Sequence, residues 1–388
     1  MKAFARVERQ KPLKNKNTII CFSHLRWNFV FQRPQHILTR AALGSRVLFF
    51  EEPLEEQVSR PVLKSERASG GVEIRTPVFP RGFDEQAKSA VQKRFVDEIV
   101  ATSAAPLITW FYTPMALQFA SHIAGDLCVY DCMDELSAFK NAPAELVRLE
   151  RELFARADLV FTGGMSLYEA KRAHHPSVHP FPSSIDVRHF GKARGPIADP
   201  ADQADIPHPR VGFFGVIDER LDVELVRHAA ASMPDIHFVM LGPVVKIDPA
   251  TLPEAPNLHW LGGKQYADLP AYLAHWDAGW MPFALNESTR YISPTKTPEF
   301  LAAGLPVVST AIVDVVRTYG AQGLVDIADA SDVADKLRSA LTTPREAWLG
   351  KADAFLAKTS WDSTWEAMAG HISAALAMKN SLPLKKGA

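Results

Sequence analysis

Short, almost unbroken apolar runs recur along the whole chain, and stretches of helical pattern separate them. In the first half they are Thr18–Phe22, Val47–Phe50, Leu107–Trp110, Leu127–Tyr130 and Leu159–Phe161. In the second half they are Val211–Phe214, His237–Leu241, Leu258–Trp260, Ala278–Met281 and Pro306–Ser309. A strand with one wet face alternates apolar and polar residues; a run that does not alternate is a strand buried on both faces, as in a parallel sheet covered by helices. Between the runs, Glu145–Ala157 places Leu146, Leu149, Leu153 and Phe154 on one helical face, and Val223–Met233 and Ala334–Leu341 are helical as well. Strand–helix alternation in both halves predicts an α/β, doubly wound architecture.

With 388 residues, two such units are expected, each long enough to bury its own core. The segment Gly191–Pro209, with Pro196, Pro200, Pro207 and Pro209 and few apolar residues, reads as the linker. The expected domains are therefore 1–190 and 205–360, with 361–388 as a C-terminal helix and tail. Lys plus Arg total 43 against 44 Asp plus Glu, a net charge of −1, which argues against a nucleic-acid partner. Three cysteines exclude a disulfide framework and suit a reducing compartment, so a cytoplasmic location is expected. No apolar run is long enough to span a bilayer. The first 17 residues carry Lys2, Arg6, Arg9, Lys11, Lys14 and Lys16 without an apolar core, so they do not read as a signal peptide. Both ends are expected to be disordered. The basic N-terminus, with Lys385 and Lys386, suggests peripheral contact with an anionic inner membrane surface; a solvated tail is the competing reading.

In open α/β sheets, ligands bind beyond the carboxyl ends of the strands, so the junctions after the runs are where function is sought. After Phe22 the chain reads Ser23-His24-Leu25-Arg26-Trp27-Asn28-Phe29 and continues to Arg33 and His36. No G-x-G-x-x-G stands there, which disfavours a dinucleotide enzyme. Arg33 and His36 are candidate ligand contacts, whereas Trp27 and Phe29 are as well explained by packing over the sheet. Asp131, Asp134 and Glu135 follow the run at Leu127–Tyr130 and read either as site carboxylates or as helix caps. Cys128 and Cys132 have no second pair to complete a zinc site and read as core thiols. After Phe214, Gly215 would let a ligand approach the backbone, the following helix would aim its N-terminus there, and Arg220 could clamp a phosphate.

The stretch from Met281 to Thr310 is the most informative. A strand runs into a polar loop, then a short helix opened by Thr295 and Pro298 and closed at Gly304, then a strand again. Lys296 and Glu299 share one face of its first turn. A cation beside free N–H groups can hold a diphosphate. An ionised carboxylate, acceptor-only, can take hydrogen bonds from both hydroxyls of a ribose.

Pro294–Thr310 resembles the donor-site helix of GT-B glycosyltransferases of the retaining family-4 type, in which the Glu binds the nucleotide ribose. Phe181–Asp186 with Phe190 resembles the family's segment before the interdomain linker. Trp361-Asp362 with Trp365 resembles the C-terminal helix that crosses back to the first domain. Phe22–Trp27 with Gln32–His36 resembles a bacterial subgroup associated with surface polysaccharides. The resemblance implies two Rossmann-like domains facing across a cleft, 1–190 on the acceptor side and 205–360 binding the nucleotide sugar, and transfer of a sugar from a nucleotide diphosphate sugar, a UDP-sugar, to a glycan or glycolipid acceptor with retention. Two positions depart from it. Tyr291 stands where the family has its first Glu, so Asn286 or Glu287 is expected to supply the sugar contact. Val216 stands where the family often has Arg, so phosphate binding falls to Arg220, Lys296 and Arg290. Asp134, Arg220 and Lys296 are the expected catalytic groups; Gly215, Asn286, Glu287, Arg290, Thr295, Lys296, Glu299, Arg33 and His36 are the expected substrate-binding ones. No metal and no cofactor is expected. A nucleotide-sugar epimerase of the same architecture and a catalytically inactive scaffold are the competing readings.

Overall fold

The computed structural model describes residues 17–381. The basic residues up to Lys16, and Lys385 and Lys386, lie outside the described residues, as do the expected disordered ends. The first sheet has nine strands: β1 (Thr18–Phe22), β2 (Arg46–Phe50), β3 (Leu54–Glu56), β4 (Val62–Arg67), β5 (Glu73–Pro80), β6 (Leu107–Phe111), β7 (Leu127–Cys132), β8 (Leu159–Thr162) and β9 (Val178–Pro180). Their order is β3-β5-β2-β1-β6-β7-β8-β9, all parallel, with β4 antiparallel on β5. The pleat divides each continuous apolar run between two buried faces. Ile20 and Phe22 enter one core with Leu48 and Phe50, while Ile19 and Cys21 enter the other with Val47 and Phe49. That is why these runs do not alternate.

The second sheet holds β10 (Arg210–Phe214), β11 (His237–Leu241), β12 (Leu258–Gly262), β13 (Ala278–Met281), β14 (Val307–Ser309) and β15 (Asp326–Ile327) in the order β12-β11-β10-β13-β14-β15. Its strand pairs are parallel. This is the doubly wound order in which the progression of strands reverses between the first and fourth strands, here β10 and β13. The first sheet repeats it, with β1 and β6 at the reversal. Gly212 and Gly279 lie side by side on β10 and β13. Large rings press onto this bare patch: a Cβ at Gly279 would sit 2.5 Å from the Phe300 ring, and one at Gly212 would collide with Trp276. Phe300 belongs to the helix Lys296–Ala303, so the glycines let that helix dock close to the sheet.

The segment 191–209 is not a free connector. Gln203 is fully buried; its side chain bonds Asp199 (2.8 Å) and the Tyr272 carbonyl (3.2 Å) and accepts from Trp276 Nε1 (3.1 Å). Ile206 and Ala193 join the second core. The chain instead passes between the units upstream, between Phe181, packed on the first core, and Ile185, packed in the second. It returns beside this point, where Trp361 N–H reaches the Ile185 carbonyl (3.4 Å) and Ser184 bonds Thr359 (3.0 Å). The helix Trp361–Ser381 then packs on the first unit through Trp361, Met368 and Ile372. Asp314 from the second unit also accepts from the backbone N–H groups of Met165 (2.9 Å) and Ser166 (3.0 Å), which open a helix of the first.

Candidate functional site

The two reversal points set where a ligand sits. At the second, Gly215 follows β10 with φ +140°, and a Cβ there would collide with the Lys296 side chain that crosses over it. Glycine is thus needed for the lysine to reach the mouth of the sheet. The Lys296 ammonium lies 5.8 and 5.9 Å from the ring centres of Phe213 and Phe283 and has no hydrogen-bond or ion-pair partner among the described residues. Burial pulls it well below the ordinary lysine range, with Glu299 opposing that pull and Arg220 adding to it. The Glu299 carboxyl, 5% exposed, is pushed above the ordinary carboxylate range by burial, against Lys296 and the Thr295 hydroxyl. The two side chains lie on one face of the first turn, within each other's field, and form no direct ion pair.

Their helix, Lys296–Ala303, ends at Gly304 in the left-handed conformation (φ 82°), as its sequence requires. Thr295 precedes it, but its side chain makes no capping hydrogen bond, so the opening N–H groups remain uncapped by a side chain. The other anticipated helix terminus is different. Val223–Ser232 starts well beyond Gly215, and Asp222 caps it through the Leu225 N–H (2.9 Å). That end is capped by its own carboxylate.

Facing Lys296 from the first unit is Asp134, just past β7. Burial pushes its carboxyl up to about 6, against Arg220, Arg33 and Lys246. Arg220 is held by Asp218 through Nε (2.9 and 3.2 Å) and Nη2 (2.7 Å), leaving Nη1 open. The ring of Phe139, on the same loop as Asp134, lies 5.4 Å from the Arg220 guanidinium and 4.9 Å from the Lys246 ammonium. The fold therefore gathers Asp134, Arg220, Gly215, Thr295, Lys296 and Glu299 from both sheets. Lys246, with φ +63°, and Phe139 were not anticipated. Lys246 was legible in one respect: it follows β11 and Gly242, the same strand-then-glycine pattern that singled out Gly215.

Five expected contacts are engaged by partners within the fold or stand at the surface. Arg33 is 5% exposed and spends its donors on Asp131 (Nη2, 2.9 Å) and the Phe181 carbonyl (Nη1, 2.7 Å), inside the first unit. It holds Asp131, which is therefore neither a cap nor a free site carboxylate. His36, 3% exposed, stacks on Trp361 at 4.5 Å, and burial keeps it far below the ordinary histidine range. Asn286 folds its own turn: Oδ1 accepts from Ser288 N–H (3.0 Å) and Thr289 N–H (3.2 Å), and Nδ2 donates to the Glu219 carbonyl (3.2 Å). Glu287 and Arg290 are exposed and pair with each other at 3.7 Å. Tyr291 packs against a core of the first unit. Cys128 and Cys132 are core thiols, each raised by burial. Among the described residues, no group of three or more His, Cys, Asp or Glu is placed to hold a metal ion.

Two parallel-sheet, Rossmann-like units meeting at this edge define the GT-B architecture. Solved structures agree: sucrose-phosphate synthase from Thermosynechococcus elongatus (15% identity, 94% of this chain and 100% of that one, TM-score 0.68) and a UDP-forming α,α-trehalose-phosphate synthase from Burkholderia xenovorans with glucose-6-phosphate (12%, 92% and 100%, 0.68). An E. coli structure described as trehalose-6-phosphate bound with UDP-2-fluoro glucose is similar too (13%, 92% and 99%, 0.67). Residues 208–343, the stretch that carries Lys296 and Glu299, match the family of glycosyl transferases group 1. Among curated proteins, the chain is 27% identical to the putative teichuronic acid biosynthesis glycosyltransferase TuaH of Bacillus subtilis (strain 168), over 55% of this chain and 58% of that protein's length.

Proposed function

We propose that the chain is a glycosyltransferase that moves a sugar from a UDP-sugar to a glycan or lipid-linked acceptor in polysaccharide synthesis, with retention at the anomeric carbon. One observation carries this reading: an unpaired, half-buried ammonium at an uncapped helix start, one turn before a buried carboxylate. Lys296 and the open Nη1 of Arg220 meet the diphosphate and neutralise the charge that builds on it as the glycosidic bond breaks. Glu299 accepts from the ribose hydroxyls. Asp134, across the gap, contacts the reacting sugar or the incoming hydroxyl. The positive charge comes from side chains, and the reading includes no resident metal. The family match of residues 208–343 and the printed name of the Bacillus relative support transfer over epimerisation or a scaffold role. Retention rests on the sequence resemblance.

Calorimetric titration with uridine and UDP tests the assignment. Glu299→Ala removes charge-assisted bonds of about 1.5–3 kcal/mol each, so both ligands should weaken at least tenfold. Glu299→Gln should lose less. Lys296→Ala should weaken UDP far more than uridine, because its partner is phosphate. A folded Glu299→Ala protein that binds UDP as the parent does sinks the donor-site assignment. The same reading places the enzyme in the cytoplasm at the inner membrane surface. Equal flotation with neutral and anionic liposomes would remove the membrane part. No helix among the described residues is long and apolar enough to cross a membrane.

A further inference from the structure

The loop that carries Asp134 packs against one short segment, 163–171, and that segment also bears a contact with the second unit. Gly163 and Gly164 follow β8. A Cβ at Gly163 would collide with the backbone of Met133, next to Asp134. A Cβ at Gly164 would collide with Asp314 and press on Ser293, both of the second unit. Two adjacent glycines thus let the Asp134 loop close in on one side and the second unit on the other. The helix Met165–Lys171 that follows is held at both ends. At its start the Asp314 carboxylate accepts from the Met165 (2.9 Å) and Ser166 (3.0 Å) N–H groups, and Arg317 pairs with Glu169 (2.8 Å). At its end the Lys171 ammonium, its side chain 8% exposed, donates to Glu135 (2.7 Å) and to both oxygens of Glu150 (2.9 and 2.8 Å).

We infer that Lys171 and Asp314 are positioning residues: through segment 163–171 and Glu135 they fix Asp134 against the donor edge. This rests on the reading of Asp134 as the group that meets the reacting sugar or the incoming hydroxyl.

The pairing itself favours this role. One carboxylate is enough to neutralise Lys171, and Glu150 provides it, with the Tyr130 hydroxyl as a further donor to Glu150 (2.8 Å). Glu135 is a second carboxylate on the same cation, and a surplus charge out of water costs stability. Its place in the chain is what distinguishes it: it adjoins Asp134, and it also accepts from the Ser137 hydroxyl (2.6 Å) within the same loop. Phe139, further along that loop, lies against Arg220 and Lys246 of the second unit. Asp134 is therefore flanked by two anchors, each touching something held by the second unit. Such anchoring matters at a reacting group, where a displacement of about 1 Å can cost on the order of 100-fold in rate.

Lys171→Met would strand two carboxylates and confuse loss of position with loss of fold. The test therefore cuts the tether at Glu135, which leaves Lys171 paired with Glu150. The full chain, labelled with 13C at its aspartate carboxyls, is titrated by NMR, and Asp134 is the signal that Asp134→Asn removes. In the parent, Asp134 stands among Arg220, Arg33, Asp218 and Lys246, and its signal should titrate at about 6, where burial holds it. Glu135→Ala frees the loop and should let that value fall toward the ordinary ~3.9, with the melting midpoint little changed. Glu135→Gln loses the same charge but keeps an acceptor for Lys171, so it should stay near the parent. Asp314→Ala frees the other end and should lower the value as well. Both Glu135 variants should bind UDP as the parent does in calorimetry. The positioning role is overturned if the parental Asp134 titrates at the ordinary value, if either Ala variant keeps the parental value, or if Glu135→Gln falls as far as Glu135→Ala; UDP binding by the parent then leaves the donor reading standing. If the values move as expected but the parent binds no UDP, the tether stands and the donor reading falls.

Discussion

The two sheets share the central strand order around their reversal points but differ in how their buried charges are paired. In the first unit, the charges behind the cleft are matched within the fold: Arg33 with Asp131, and Lys171 with Glu135 and Glu150, both at short range. In the second, Lys296 is left unmatched and Glu299 meets no cation at ion-pair distance. A charge satisfied by its own fold contributes rigidity; a charge left unsatisfied costs stability and is retained where a ligand completes it. On the proposed reading, the second edge is the one built around an anion.

The largest expected effect tests the matched side. Arg33→Ala strands the Asp131 carboxylate, which is 0% exposed. Breaking a buried pair in this way costs about 3–5 kcal/mol, read as a large fall in the denaturation midpoint. Lys296→Ala should leave the midpoint unchanged or raise it, and lose UDP. If Lys296→Ala unfolds the protein and Arg33→Ala does not, the contrast is reversed.

An intermediate effect is expected at Gly279. Its Ala variant pushes a methyl group into the Phe300 ring, and overpacking of this kind costs about 1–3 kcal/mol. Phe300 follows Glu299, so the strain should displace the carboxylate and weaken uridine as well as UDP. A destabilised Gly279→Ala protein with parental uridine affinity would show that the second edge does not depend on this docking.

The smallest effect is in pH dependence. Glu299 is raised, so it protonates on acidification earlier than an ordinary glutamate near ~4.3, and affinity for uridine should fall on that side. Lys296 is lowered, so it discharges below the ordinary ~10.4, and affinity for UDP should fall on the alkaline side. The stability signs are opposite to the binding signs. A raised carboxyl stabilises the folded state only below its folded pKa, so the apoprotein loses stability as pH rises through it. Glu299→Gln should reduce that loss. Burial raises Asp131 and Asp134 of the first unit as well, so they add limbs of the same sign. Parallel melting curves of the parent and Glu299→Gln across pH decide this.

Apolar patterning carried most of the architecture. Each anticipated run became a strand, because burial on both faces leaves no room for polar residues. The strands that escaped are those with a wet face or a broken pattern. β4 is mostly exposed along its polar residues, and β5 contains Pro77 and Pro80. Lys296 and Glu299 were legible because a helix start, a cation and a carboxylate fall within four residues. Asn286 closes a turn and Glu287 pairs with Arg290, since the residue types that bind sugars also serve such local roles. The partners of Arg33 and His36 could not be read, because Asp131 and Trp361 are far away in sequence. Phe139 could not be read at all, since its meaning comes from two cations on the other unit.

The paired passages of chain at Phe181–Ile185 and Thr359–Trp361 constrain how the two halves can travel. A single connection acts as a tether and permits swivel in every direction. Two connections lying against each other, joined by the Trp361–Ile185 and Ser184–Thr359 bonds, act as a door hinge with one axle. Swinging about that axle is the motion that leaves both passages and both hydrogen bonds intact. The gap between Asp134 and Lys296 then becomes a single coordinate, and whatever ligand narrows it brings the remainder of the two facing edges into one fixed alignment.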